Sequence, residues 1–207
     1  MADANDHRSV IAVTSLKAFF HQALHEAANA QKLAADDAII AYLTHLLTDY
    51  ARSDRLFDRT EHGIVRRPLV DIFKQASEAE TAGERELALQ RLGDLALFVS
   101  GILPHSLQRS LVDVDYYIAM GASAYGCLSD STGPGARVRA LRSVFARLSS
   151  RFVDFVDLLA ETIEQGRATH QPDLLRLHDL WHKTGSRRLG RLLFEYGVTP
   201  QRAAAFN

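Results

Sequence analysis

The chain has 207 residues, 47% hydrophobic and 24% charged, with a net charge of −1 at neutral pH. That composition excludes disorder over most of its length, and so small a net charge excludes a global field drawing it to nucleic acid or an anionic membrane. One cysteine, Cys127, excludes an intramolecular disulfide. Its small and apolar neighbours predict a buried thiol, and without a basic-then-apolar leader the expected compartment is a reducing cytoplasm.

Helical spacing dominates from the first segment. Over residues 9–30, Val13, Leu16, Phe20, Leu24 and Ala27 recur at steps of three and four and form one apolar stripe. Asp36 or Asp37 then offers a carboxylate to the free N–H groups of a second helix, where Ile39, Leu43, Leu46 and Tyr50 share a face. Residues 52–67 mix charges with Gly63 and hold no sustained period, which predicts a long loop with at most a short helical turn. Pro68 suits a first helical turn, and Leu69, Ile72, Phe73 and Ala76 follow it. Gly83 separates that helix from a longer one over residues 84–103, with Glu84 and Glu86 near its positive end and Pro104 beyond its last turn. Residues 111–128 give a helix rich in small and aromatic side chains.

Ser131-Thr132-Gly133-Pro134-Gly135 is the strongest breaker in the chain. The charge balance also changes there: residues 1–134 hold 12 basic and 18 acidic side chains, residues 135–207 hold 12 and 7. Oppositely charged helix faces that pair within the fold account for this; a basic face for an acidic or phosphate-bearing partner is the alternative. Over residues 136–165, Val138, Leu141, Phe145, Leu148, Phe152, Phe155, Leu159 and Ile163 hold the longest stripe, closed by Gly166. Pro172 and Asp173 open a further helix to about residue 183. Gly185 breaks it, Ser186 caps a last helix to about residue 196, and Gly197 and Pro200 end the pattern. Fraying is expected at residues 1–8 and 201–207. Nowhere do β-branched residues alternate over five or six positions, so no strand is predicted. The sum is an all-α fold: a single compact multi-helix bundle of about seven to eight helices over residues 1–207, with a sub-boundary near 131–135, no membrane span and no internal repeat.

Two stretches hold groups that can carry chemistry. In residues 92–101, Asp94 is a carboxylate among apolar neighbours. Such a group is expensive to bury unless paired. It is expected to accept bonds from an arginine, a tyrosine hydroxyl or free N–H groups, or else to serve as ligand or base in an interior pocket. Gly93 beside it costs about 1 kcal/mol against alanine in a helix interior, which predicts a backbone or ring pressed against it. In residues 113–126, Asp115, Tyr116, Tyr117 and Tyr125 are the partners that would complete a polar network with Asp94. Ala122, Ser123 and Gly126 would let another helix approach closely. Together with Tyr42-Leu43-Thr44-His45-Leu46-Leu47, these stretches resemble a set of uncharacterised bacterial all-helical proteins. The resemblance spans residues 16–128 and implies an all-helical fold, with no activity and no site residues to carry over.

Nine histidines raise the question of a divalent metal. His21 and His25, and His178 and His182, stand four apart, so each pair faces one way on a helix. His178 and His182 are the better half-site, because His178 falls on the stripe of Leu174, Leu177 and Trp181. The metalloprotease pattern would place Glu where Asp179 stands. No Glu-x-x-His occurs, which argues against a ferritin-like di-iron centre, and there is no phosphate loop, dinucleotide fingerprint or nucleophile elbow. No cofactor is predicted beyond that metal. Arg187, Arg188 and Arg191 follow a helix–glycine–helix break, but the modest charge and Glu195 count against a nucleic-acid reader. Two readings of function remain, with the balance leaning away from an enzyme. The first is a non-catalytic helical interaction or regulatory module, including a homodimer through Ala122, Ser123 and Gly126. The alternative is a small-molecule- or metal-binding helical protein, enzymes included, with an interior polar pocket near Asp94 and Tyr117.

Overall fold

The computed structural model describes residues 13–52, 57–60, 63–66, 68–103, 113–133, 135–164 and 174–198. Among them the chain forms α1 (Val13–Gln31), α2 (Asp37–Arg52), β1 (Phe57–Thr60), β2 (Gly63–Arg66), α3 (Leu69–Ser77), α4 (Ala82–Ile102), α5 (Val114–Asp130), α6 (Ala136–Ala140), α7 (Arg142–Ser150), α8 (Phe152–Glu164), α9 (Leu174–Thr184) and α10 (Arg187–Glu195). The fold is all-α, with ten helices among these residues rather than seven or eight.

The centre of the bundle is α4. Leu92, Leu95, Ala96, Leu97, Phe98 and Val99 are buried around its whole circumference, as an apolar helix without a polar face requires. It packs against α3, α5 and α8, while α5 takes α7 on its other side. The helices α1 and α2 pair with each other, and α1 lies along α8; α9 and α10 pair and rest on α5 and α8. Among the described residues no helix is long and apolar enough to cross a membrane.

The extra helices come from the long stripe after the Gly133–Gly135 break. It is divided at Leu141 (φ −100°, ψ 7°) and Arg151 (φ −129°, ψ 34°). Neither joint holds proline or glycine, and Phe145 N–H still reaches the Leu141 carbonyl at 2.9 Å. Packing makes the joints: α7 must follow α5, whereas α8 must follow α4 and α1. A straight rod would not face both.

The loop expected over residues 52–67 contains an antiparallel hairpin instead, with Phe57 opposite Arg66 and Thr60 opposite Gly63. Each arm has only four residues, too few to register as alternation. Gly83 lies inside α4 rather than before it. Thr81 is the true cap: its hydroxyl accepts from Glu84 N–H at 3.2 Å, and the Glu84 carboxylate accepts from Thr81 N–H at 3.2 Å. This reciprocal box was present in the sequence as Thr-x-x-Glu. Of the two aspartates offered for α2, Asp36 does the capping, accepting from Ile39 N–H at 2.9 Å. The frayed ends at 1–8 and 201–207, and the signals at Pro104, Gly166, Pro172, Asp173 and Pro200, lie outside the described residues.

Candidate functional site

Asp94 sits on α4 where the helix meets α2 and α5. Its Oδ1 accepts hydroxyl bonds from Tyr42 at 2.5 Å and Tyr125 at 2.7 Å. Gln90, one turn earlier on α4, donates to the Tyr42 oxygen at 3.3 Å. Burial raises the Asp94 carboxyl from 3.8 to about 6; the Tyr42 and Tyr125 hydroxyls, Arg137 and Gln90 pull it down without cancelling that rise. Both tyrosine hydroxyls are pushed well above their usual value, first by burial and then by the Asp94 charge. The rings are fixed as well. Tyr125 stacks on Phe145 at 5.6 Å, and Tyr42 meets the same Phe145 edge-on at 5.6 Å. Gly93 carries the close approach expected of it: a Cβ there would lie 2.7 Å from Tyr125 Cε1.

A cleft of about 460 Å³ opens elsewhere, where the N-terminal end of α4 meets the C-terminal end of α5. Ala82, Arg85, Glu86 and Leu89 form one wall at helical spacing; Cys127 and Asp130 form a second; Ser131, Thr132 and Gly133 complete it. Asp94 is not among these residues. The loop wall is fixed from beneath by Glu86, which is only 5% exposed. Ser131 Oγ donates to Glu86 Oε1 at 2.6 Å, and Arg142 Nη2 donates to the Ser131 carbonyl. A Cβ on Gly133 or Gly135 would lie 2.2 Å from a Glu86 oxygen, so the two glycines are what let the loop close over that carboxylate. The breaker run is thus a cradle for a buried acid. Cys127, expected to be buried, is exposed in the cleft. Tyr117, Gly121, Ala124, Tyr125 and Leu128 take the inward face of α5, which turns residue 127 outward.

A third polar centre joins the end of the chain to the bundle. Asp157 on α8 is buried and accepts from Ser186 Oγ at 2.7 and 2.8 Å. Ser186 in turn caps α10, accepting from Leu189 N–H at 3.0 Å. Next to it Arg188, 6% exposed, donates from Nε to Glu161 at 3.0 Å. Burial raises the Asp157 carboxyl from 3.8 to about 6, against the bonds from Ser186 and Arg188 N–H and the Arg188 charge.

Of the residues singled out from sequence, Asp94 and Tyr125 come together, and Tyr42 is the partner that went unnamed. Asp115 and Tyr116 stand apart: Asp115 is exposed and accepts from the Tyr116 N–H at 2.9 Å. Tyr117 is buried in the core cluster, with Tyr116 beside it at 6.2 Å between rings. Ala122 and Gly126 meet α7, where Ser149 Oγ donates to the Ala122 carbonyl at 2.8 Å and lies 3.2 Å from a notional Gly126 Cβ. His178 is half-buried with its ring 5.9 Å from Trp181, and His182 is exposed. Asp179, between them, pairs with Lys183 at 3.3 Å. Among the described residues no group of three or more His, Cys, Asp or Glu is placed to hold a metal ion. Arg187 and Arg191 are exposed, whereas Arg188 is taken up by Glu161. Compared with family profiles, with curated proteins and with solved structures, the chain matches none.

Proposed function

We propose that this chain is a non-catalytic helical binding protein that takes a small polar molecule in the cleft between α4, α5 and residues 131–133. The observation that carries the reading is the fixed wall. A cleft of about 460 Å³, within the usual range for small-molecule sites, is closed on one side by a loop tied to the buried Glu86 carboxylate. A wall held this way keeps its shape in the empty protein, which lowers the ordering cost of binding. The lean away from catalysis rests on Asp94. Its carboxyl is tuned toward neutral pH, as an acid–base group would be, yet it lies outside the cleft and its Oδ1 is committed to two tyrosines. A reducing cytoplasm suits the single exposed thiol at Cys127.

A fragment screen followed by amide NMR tests this. Bound fragments are expected to shift residues 82–89 and 127–133 together. Binders that perturb only other regions, or a diverse library with no binder, would refute it.

A second reading, an interaction module, is favoured by Leu175, Phe194 and Tyr196, which stand 85%, 71% and 47% exposed on the C-terminal pair of helices. Light scattering at micromolar concentration tests its homodimer form; a strict monomer removes that form.

A further inference from the structure

The cleft holds two opposite charges that do not neutralise each other. Arg85 on the α4 wall and Asp130 on the α5 wall both line it, both are exposed, and no ion pair joins them within 4 Å. The other carboxylate in the lining, Glu86, is occupied by Ser131. Glu84, on the same end of α4, is turned back onto the Thr81 N–H. Among the described residues Asp130 Oδ1 accepts only the neighbouring Ser129 hydroxyl, at 3.1 Å, which leaves its charge uncompensated, and Arg85 and Asp130 each reinforce the pole of their own helix instead of offsetting it. Arg85 is near the N-terminal, positive end of α4, and Asp130 is the last residue at the negative end of α5. The α4 wall therefore presents one exposed guanidinium, with the Glu86 carboxylate buried behind it, and the facing wall presents one exposed carboxylate. Leu89 and Ala82 supply apolar surface on the α4 wall.

We propose that the cleft binds a small zwitterion, a molecule carrying a carboxylate at one end and an ammonium at the other. The carboxylate pairs with the Arg85 guanidinium, whose planar fork matches it; the ammonium pairs with the Asp130 carboxylate; the connecting methylenes lie along Leu89. A ligand with one charge satisfies one wall and leaves the other repelled or unpaired, so selectivity for the doubly charged molecule follows from the walls themselves. This rests on the cleft being a binding site, as argued above.

Cys127 supplies the readout, because the chain's one thiol is exposed in the same cleft. The rate of its reaction with a neutral thiol reagent is measured on the full chain, with and without each member of a series of ω-amino acids of increasing length. The n-alkylamines and n-alkanoates of matching length serve as controls. One amino-acid length is expected to slow alkylation, with a half-saturating concentration at least tenfold below that of either control. Arg85→Gln and Asp130→Asn, both at exposed positions, are each expected to weaken protection by that amino acid about tenfold, read as the ratio of rates with and without ligand. Equal protection by the amine or the alkanoate overturns the zwitterion proposal while leaving the cleft a binding site. No protection by any amino acid overturns it as well, and a fragment screen that is also blank then removes the cleft reading itself.

Discussion

The ring of Tyr125 lies so close to Gly93 that a single methyl there would meet three of its atoms at 2.7, 2.8 and 2.9 Å. Those atoms belong to the side chain whose hydroxyl reaches Asp94, one residue further along α4. Glycine at 93 and the bond to Asp94 are therefore one feature. Gly93→Ala is expected to cost stability, although alanine is the better helix former by about 1 kcal/mol. The clash outweighs that gain, because overpacking a filled core costs typically 1–3 kcal/mol. Denaturant melts check the sign; a stabilised variant would show that the ring yields freely.

Half-buried Asp94 and buried Asp157 set a pH dependence. Asp94 and Asp157 each move from 3.8 to about 6 through burial. Between those values the folded protein holds protons that the unfolded chain has released. Each group's contribution is therefore full below about 3.8 and is lost as pH rises through about 6. Two units amount to roughly 3 kcal/mol per group at most. Asp94→Asn is expected to flatten stability between pH 4 and 7 relative to the unaltered chain. It should also be well tolerated at pH 7.5, since the amide oxygen can still accept both tyrosine hydroxyls. Urea titrations across pH decide this, and an unchanged slope in both Asp94→Asn and Asp157→Asn would sink it.

The loop over Glu86 responds to its glycines and its serine. Gly135→Ala places a methyl against a carboxylate oxygen, so the loop must lift. Ser131→Ala leaves the other Glu86 oxygen, Oε1, without its 2.6 Å donor, a loss on the order of 1–3 kcal/mol for a buried group. Both variants are expected to lower Tm and speed alkylation of Cys127. Faster alkylation without a fall in Tm would place the loop outside the fold's stability.

Ser186 both caps α10 and donates to Asp157. Ser186→Ala removes both bonds and is expected to cost roughly 2–4 kcal/mol, a lost cap added to a buried acceptor stripped of its donor. Limited proteolysis should then cut first within α9 and α10. Cleavage elsewhere, at the native rate here, would count against the role assigned to Ser186.

How much of this could be read from the sequence depends on distance along the chain. Gly93 announced a ring, and Asp94 announced a hydroxyl partner, because each breaks a rule of its own helix. Tyr42 gave no such sign; it lies 52 residues from Asp94 and reads as one more aromatic on an apolar face. Asp157 was missed because the stripe of Phe152, Phe155, Leu159 and Ile163 leaves it to one side. In the fold α8 is covered by α1, α4 and α10, so residues 155–159 are all buried. The cleft combines segments about forty residues apart, and no periodicity within either reveals it. The outward turn of Cys127 follows from the inward one of Tyr125 and Leu128, which neighbours in sequence do not disclose.

The Asp157 position has one more bond. Gln31, at the last residue of α1, donates to the Asp157 carbonyl across 126 residues at 3.1 Å, and α1 lies along α8. During synthesis, α1 therefore leaves the ribosome long before α8, the surface it covers, exists. At about 5–20 residues per second the wait is on the order of ten seconds, during which the face of α1 that α8 will cover stays open to solvent or to a chaperone. The nascent chain is most vulnerable to aggregation in that interval, and it ends when α8 emerges.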